Sequence, residues 1–117
     1  MSLTRNRFTK GAAALFFGTA HAQTGGKMEQ RKIPSSGEML PVVGVGTWQT
    51  FDVGGSAAER APRGEVLKTL FEAGGAVIDS SPMYGRSEGV AGDLLAEAGT
   101  RDKAFIATKV WTSGREA

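Results

Sequence analysis

Three short apolar runs along the chain predict three buried strands. The first covers residues 42–45, the second is AVID at residues 76–79, and the third is AFIATKV at residues 104–110. Runs of this length that are rich in β-branched residues favour strands over helices. Because the runs are continuous rather than alternating, they are typical of strands buried on both faces.

Helical spacing of apolar residues appears between these strands. In residues 62–73 the apolar side chains fall three and four positions apart, and Gly74 with Gly75 supplies a C-terminal stop. A second helix is predicted to begin with Ser87 as its N-cap and to end at Gly99. The apolar residues on one side of this second helix are Val90, Ala91, Leu94 and Leu95.

The order of these elements predicts an α/β fold with a parallel sheet. Residues 31–41, RKIPSSGEMLP, predict a small exposed hairpin before the first strand. The alternating strands and helices that follow predict parallel strands joined by helical crossovers, as in doubly wound sheets and (β/α) barrels. The dinucleotide-binding form is disfavoured because Gly44 and Gly46 match its glycine-rich motif only in part.

The composition limits the chemistry that the chain can perform. With 117 residues it is long enough for one small domain, and its hydrophobic content of 40% is that of a globular protein. It has no cysteine, and His21 is its single histidine. Disulfides, thiolate sites, histidine metal clusters and a Ser-His-Asp triad are therefore excluded, and we predict no metal site in this chain.

Residues 1–22 have the order of a secretory signal. Basic residues come first, an apolar run follows at residues 11–20, and the sequence AHA is a small-x-small cleavage site. We expect export to the periplasm, with the cytoplasm as the alternative location, and a linker over residues 23–30. The stretch after Arg5 resembles a twin-arginine signal, but Asn6 stands where the second arginine would be. An amphipathic N-terminal helix is the alternative interpretation.

Charge and hydropathy suggest few macromolecular partners. Three of the 14 Lys and Arg residues and none of the 12 Asp and Glu residues lie in residues 1–22, so the remainder has a net charge of −1. No basic face is left to indicate nucleic acid. The apolar run at residues 11–20 has about half of the roughly 20 residues that a membrane-spanning helix needs, so we expect no stable membrane anchor.

The unusual polar and aromatic residues follow the ends of the predicted strands. Functional residues in parallel α/β folds lie at the carboxyl ends of the strands, and these ends share one edge of the sheet. Neighbouring strands are about 4.8 Å apart, so Asp79 and Lys109 would meet as an ion pair with Tyr84 nearby. A lysine near a phenol stabilises the tyrosinate form, which suits a proton donor. The residues predicted at this edge are Gly46, Thr47, Trp48, Asp79, Tyr84, Lys109 and Trp111.

Each of these residues also has an ordinary structural interpretation. Asp79 would form a turn through its side chain, and Lys109 would be a solvated strand end. Tyr84 would cover the edge of a core with its hydroxyl in water, and Trp48 and Trp111 would be packing residues. These interpretations do not explain why three residues of complementary chemistry follow strands at the same edge.

Three ordered motifs resemble the N-terminal third of aldo-keto reductases. They are LPVVGVGTW, VIDSSPMYG with SEGVAGDLL after it, and FIATKVW, and the resemblance runs from residue 31 to residue 111. It implies that residues 31–117 are the hairpin, the first three strands and the first two helices of a (β/α)8 TIM barrel. It also implies reduction of aldehydes or ketones to alcohols with NADP(H), a small-molecule carbonyl substrate, and a monomer when the barrel is complete.

The resemblance implies a role for each residue at the predicted edge. Tyr84 would be the general acid that protonates the carbonyl oxygen, Lys109 would tune its acidity, and Asp79 would hold Lys109. The cofactor-binding residues that it implies are Gly46, Thr47, Trp48 and Asp79. The substrate-binding residues that it implies are Trp48, Tyr84 and Trp111.

The family pattern also has parts that these 117 residues do not contain. Aldo-keto reductases use a histidine after the fourth strand, and later strands bind the cofactor phosphates. Three strands do not close an eight-stranded barrel, and a roughly 250-residue fold does not fit in residues 31–117. We therefore expect an incomplete barrel that is inactive alone. The alternatives are a non-catalytic fragment or cofactor-binding relative without turnover, and an unrelated barrel enzyme such as an isomerase.

Overall fold

A small antiparallel hairpin is followed by alternating strands and helices. The computed structural model describes residues 27–110 and 112–113, so the predicted signal at residues 1–22 and the first part of the predicted linker lie outside the described residues. The elements are β1 (Gln30–Lys32), β2 (Met39–Pro41), β3 (Gly44–Gly46), α1 (Ala57–Glu72), β4 (Val77–Asp79), α2 (Ser87–Glu97) and β5 (Phe105–Ala107), with a 3₁₀ turn at Arg101–Lys103. Neither helix in the described part is long and apolar enough to cross a membrane.

The predicted hairpin is confirmed, and its pairing continues beyond the two strands. Strands β1 and β2 pair antiparallel, with Arg31 opposite Leu40. Past the end of β2, the Val42 backbone N–H donates to the Glu29 carbonyl oxygen at 3.0 Å. Val42 therefore belongs to the end of the hairpin. As a result β3 begins at Gly44, two residues later than predicted.

Strands β3, β4 and β5 form the predicted parallel sheet, in the order in which they occur along the chain. The register pairs Gly46 with Asp79, and Asp79 with Ala107. The last residues of the three strands therefore lie side by side. This carboxyl edge of the sheet is where the sequence predicted the functional residues.

The core lies between the sheet and the two helices. Ile78, at the centre of β4, is 1% exposed. Its neighbours Val77 and Asp79 lie on the opposite face and are only half-buried, because side chains alternate along a strand. The sequence predicted strands that are buried on both faces. In the described residues the three strands form an open sheet, and the helices cover only one face of it, so the other face is less buried. The buried apolar cluster consists of Phe51, Leu67, Ile78, Val90, Ala91, Leu94 and Leu95.

Helix α1 begins at Ala57 rather than at the predicted Pro62. The Ser56 hydroxyl accepts the Glu59 N–H at 3.3 Å and donates to the Glu59 carboxylate at 2.6 Å, which is a reciprocal N-terminal cap. Pro62 lies in the second turn, where it removes one backbone hydrogen bond. The cap therefore decides where the helix starts. Gly74, with a φ of 84°, confirms the predicted C-terminal stop.

Replacing Ser56 with Ala is expected to lower the free energy of unfolding by about 1 kcal/mol, the usual contribution of an N-cap. The Ser56 hydroxyl is the main cause that lowers the pKa of Glu59 from its ordinary value of 4.5, followed by the Gly54 N–H. A lowered carboxyl pKa stabilises the fold above pH 4.5, and this contribution is lost as the pH falls through the lowered value. The effect of the substitution should therefore shrink in acid.

Urea unfolding followed by circular dichroism, at neutral pH and at a series of pH values descending from 4.5, measures both effects. Ser35→Ala in the exposed hairpin turn is the matched control, because it removes a hydroxyl outside any helix. Equal destabilisation by the two substitutions would mean that the Ser56 cap does not stabilise α1.

Helix α2 occupies the predicted region, but the prediction that Ser87 is its N-cap is wrong. The cap position is Arg86, whose own side chain makes no capping hydrogen bond. Ser87 is buried, and its hydroxyl donates to the Thr47 carbonyl oxygen at 3.1 Å. The Thr47 carbonyl oxygen also accepts the Phe51 backbone N–H at 3.0 Å, so Ser87 is its second donor. The buried Ser87 hydroxyl thereby finds an acceptor of its own. The hydroxyl therefore ties α2 to the loop after β3 instead of capping its own helix.

Candidate active site

Asp79 and Lys109 form the predicted ion pair at the carboxyl edge of the sheet. Lys109 Nζ lies 2.9 Å from Asp79 Oδ1 and 2.8 Å from Asp79 Oδ2. It also donates to the Ser80 carbonyl oxygen at 2.8 Å. These three acceptors match the three N–H donors of an ammonium group. The ammonium group of Lys109 is therefore held in one orientation.

The strands place both members of the pair. Asp79 is the last residue of β4. Lys109 lies two residues beyond the end of β5, not at the strand end as predicted. The Ser80 N–H donates to the Ala107 carbonyl oxygen at 2.8 Å, so the pairing of β4 with β5 continues for one more residue. This extension keeps the residues after the two strands close together.

The contacts of Lys109 keep it charged. Its pKa is raised above 10.5, first by the hydrogen bond to Asp79, while partial burial opposes the rise and Tyr84 adds to it. The Lys109 side chain is 41% exposed and that of Asp79 is 50% exposed, so the pair contributes little to the stability of the fold. Its importance is that it places a fixed positive charge at the edge of the sheet.

Tyr84 lies beside that positive charge. Lys109 Nζ is 5.0 Å from the centroid of the Tyr84 ring, which is a cation–π distance. The turn after β4 fixes the Tyr84 backbone, because its N–H donates to the Ser81 carbonyl and its carbonyl accepts the Ser87 N–H, both at 3.0 Å. The side chain is half-buried. Part of it is therefore accessible to a ligand.

Trp48 borders the same edge from the loop after β3. It is 62% exposed, and its ring centroid lies 6.3 Å from that of Tyr84 with the two planes 39° apart. The next residue, Gln49, has a φ of 60°, a left-handed conformation that costs a residue with a side chain about 1–2 kcal/mol. A strained turn thus presents an exposed indole next to the tyrosine. Such a surface is suited to contact with a flat or apolar ligand.

The other predicted site residues are placed in different ways. Gly46 is exposed, and a methyl group added to it would have no atom within 4 Å, so its backbone borders open space. Thr47 is fully buried, and its hydroxyl donates to Ser80 Oγ at 2.8 Å. The Thr47 side chain therefore lies in the interior, below the carboxyl edge of the sheet. Its contact with a cofactor stays a prediction. Trp111 lies outside the described residues.

The structure adds contacts that the sequence did not indicate. One is the bond from Lys109 to the backbone carbonyl of Ser80, an acceptor that every residue type carries. Another is Asp52 in the loop after β3, which accepts the Arg86 backbone N–H at 3.0 Å and the Arg86 Nε–H at 3.2 Å. The pKa of Asp52 is lowered from 3.8, first by that backbone N–H and then by the Arg86 side chain. No sequence spacing indicates a contact between two separate loops.

The arrangement combines a proton donor, a fixed positive charge and open space. The Tyr84 phenol can give its proton to an oxygen atom bound at the edge. Lys109 can then stabilise the tyrosinate that remains, while Asp79 holds the ammonium group in place. The geometry is suited to proton transfer to a ligand oxygen at the carboxyl edge of the sheet.

Several known reductases are similar to this chain. It is 38% identical over 92 residues to the methylglyoxal reductase YeaE of Escherichia coli (strain K12), and the match covers 74% of this chain and 31% of YeaE. It is 30% identical over 84 residues to the aldo-keto reductase YhdN of Bacillus subtilis (strain 168), covering 70% of this chain and 25% of YhdN. The crystal structure of an aldo-keto reductase from Klebsiella pneumoniae in complex with NADPH matches with a TM-score of 0.51 and 28% identity, covering 71% of this chain and 28% of that one.

These similarities bear on the fold and on the family. The chain spans about a quarter to a third of the length of these relatives. The structural match confirms the predicted fold class, an α/β unit that is part of a (β/α)8 barrel. Residues 42–117 match the aldo/keto reductase family along their whole length. The chain therefore belongs to the aldo/keto reductase family.

Proposed function

We propose that this chain provides the proton-donating part of an NADPH-dependent reductase that converts small aldehydes or ketones to alcohols. One observation carries the proposal. An ammonium group held by three acceptors lies 5.0 Å from the ring centroid of the single tyrosine in the chain. Membership of the aldo/keto reductase family supports the same chemistry.

In the proposed reaction Tyr84 acts as the general acid. The substrate carbonyl oxygen binds at the Tyr84 hydroxyl and receives its proton as the carbonyl carbon is reduced. Lys109 stabilises the tyrosinate that forms, and it does so throughout the neutral range because its pKa lies above 10.5. Asp79 and the Ser80 carbonyl hold the ammonium group, so no reorientation is needed during the reaction. Trp48 excludes water from one side of the substrate.

The described residues fit a nicotinamide cofactor. When bound, a nicotinamide supplies the hydride that reduces the carbonyl carbon. Gly46 borders open space and lies next to Asp79 in the sheet, so a ring or a sugar can approach the backbone there. Trp48 adds an exposed aromatic surface at the same edge. We propose NADPH as the cofactor because one similar protein was crystallised with it, and Gly46, Trp48 and Asp79 as contact residues.

A hybrid protein tests the proposed function in a complete barrel. The segment of YeaE that corresponds to residues 42–117, the region of the family match, is replaced by those residues of this chain. Asp79, Tyr84 and Lys109 of the hybrid then come only from this chain. We expect the hybrid to consume NADPH when methylglyoxal is added, the substrate in the name of YeaE. The loss of NADPH absorbance measures turnover, and unmodified YeaE is the positive control.

Binding and turnover together separate the two candidate functions. Quenching of tryptophan fluorescence by NADPH, measured on the same hybrid, reports cofactor binding. Binding with turnover supports the reductase. A folded hybrid that binds NADPH but reduces no methylglyoxal, aldehyde or ketone would indicate a cofactor-binding relative without catalysis.

A further inference from the structure

We propose that Asp52 is a positioning residue for Tyr84 and that it acts through Gly85 and Arg86. Asp52 lies in the loop after β3, whereas Tyr84 lies in the turn between β4 and α2. The effect of Asp52 on catalysis rests on the proposed function. Its effect on the position of Tyr84 does not, and the two are measured separately below.

Asp52 holds the backbone immediately after Tyr84. Its Oδ1 accepts the Arg86 backbone N–H at 3.0 Å and the Arg86 Nε–H at 3.2 Å. One bond fixes the main chain of Arg86 and the other fixes its side chain, and both are assisted by charge. Tyr84 is separated from this anchor by one residue. The anchor therefore restricts the path of the backbone that carries the Tyr84 side chain.

Gly85 shows how closely Asp52 approaches this turn. A methyl group added to Gly85 would lie 2.5–2.7 Å from the carboxylate atoms of Asp52. Gly85 also has a φ of 58°, which is in the left-handed region that favours glycine. The turn is thus packed directly against the carboxylate. A change at Asp52 would leave the turn without this neighbour.

Charge favours the contact at neutral pH. The pKa of Asp52 is lowered from 3.8, first by the Arg86 backbone N–H, so the carboxyl group is ionised. Arg86 occupies the N-cap position of α2, and the Arg86 side chain makes no capping hydrogen bond to that helix. A carboxylate beside a helix N-terminus also interacts favourably with the helix dipole. Asp52 therefore holds the N-cap residue of α2 from another loop.

Two contacts thus add to the backbone bonds of the turn in placing the Tyr84 side chain. Lys109 contacts the ring, and Asp52 fixes the backbone that follows. Loss of Asp52 would leave the bonds between Lys109 and Asp79 intact, because those residues belong to other segments. The tyrosine would then be misplaced relative to an unchanged ammonium group. A misplacement of about 1 Å can lower a rate by about a hundredfold.

Fluorine NMR of the full chain tests the positioning without requiring turnover. Tyr84 is the single tyrosine among the 117 residues, so 3-fluorotyrosine labelling gives one resonance from the folded chain. Asp52→Ala is expected to shift and broaden this resonance. Arg86→Lys keeps the backbone N–H but loses the Nε donor, so a smaller change is expected. The matched control is Asp93→Ala, which removes the 2.8 Å ion pair with Arg60 between the two helices and should leave the resonance in place.

Kinetics of the hybrid then measure the consequence for catalysis. Asp52→Ala is expected to lower kcat by about ten- to a hundredfold. The KM for NADPH should stay the same, because Asp52 is not among the proposed cofactor contacts. Arg86→Lys should keep more of the rate than Asp52→Ala does, and Asp93→Ala should keep all of it.

An unchanged resonance in folded Asp52→Ala overturns the positioning role, and so does an equal response to Asp93→Ala. If Asp52→Ala prevents folding, the resonance of Arg86→Lys is the test instead. An unchanged resonance in Arg86→Lys then overturns the proposal. A shifted resonance combined with an inactive unmodified hybrid supports positioning and rejects the reductase function. An unchanged resonance combined with an active hybrid rejects the positioning role of Asp52 and supports the reductase function.

Discussion

Replacing Tyr84 with Phe in the hybrid should lower kcat for methylglyoxal by about two to four orders of magnitude, the range that a general acid contributes. The substitution removes the hydroxyl and keeps the ring. The ion pair between Lys109 and Asp79 and the aromatic contact with Trp48 therefore remain. Because the lost interaction acts in the transition state, kcat and kcat/KM should fall together while the affinity for NADPH stays unchanged.

Steady-state rates and a fluorescence titration with NADPH measure these quantities. The chain has no second tyrosine, so the control removes a hydroxyl elsewhere. Thr69→Val, on the exposed side of α1, serves this purpose and should keep the full rate. A Tyr84→Phe hybrid that also keeps its rate would falsify the role of Tyr84 as the acid.

The parallel sheet and its functional edge could be predicted because they follow from local patterns. Ile78 lies in the middle of an apolar run, and it is 1% exposed. Residues that end such runs meet at one edge when the strands are parallel, which is why the pairing of Asp79 with Lys109 could be predicted. The start of β3 was less predictable, because it depends on a backbone bond from Val42 to Glu29, the residue before β1.

Contacts between loops could not be predicted in this way. Ser87 is a residue type that caps helices, yet its hydroxyl bonds the Thr47 carbonyl in a different loop. Asp52 holds Arg86, the N-cap residue of the same helix, from a position 34 residues earlier. Both contacts depend on where backbone groups lie in the folded chain. The pattern of apolar residues has no information about those positions, so the supports of Tyr84 emerge only from the structure.

Replacing Lys109 with Met in the hybrid should lower kcat at neutral pH by about a hundredfold and change the pH dependence of reduction. Met has a similar length but no charge. The phenol of Tyr84 would lose the ammonium group that lies 5.0 Å from its ring centroid, and it would release its proton less readily. The alkaline limb of the pH–rate profile, where the acid is lost, should therefore move to higher pH.

The movement of this limb distinguishes a catalytic role of Lys109 from a structural one. The pKa of Lys109 is raised above 10.5, so the stability linked to its charge is complete below pH 10.5 and is lost only as the pH rises through the raised value. Rates of the unsubstituted hybrid between neutral pH and pH 10.5 therefore report chemistry rather than unfolding through this group. Lys103→Met, in the 3₁₀ turn before β5, is the matched control and should change neither the rate nor the limb. A lower rate with an unmoved limb would mean that Lys109 holds the site together without acting on the proton of Tyr84.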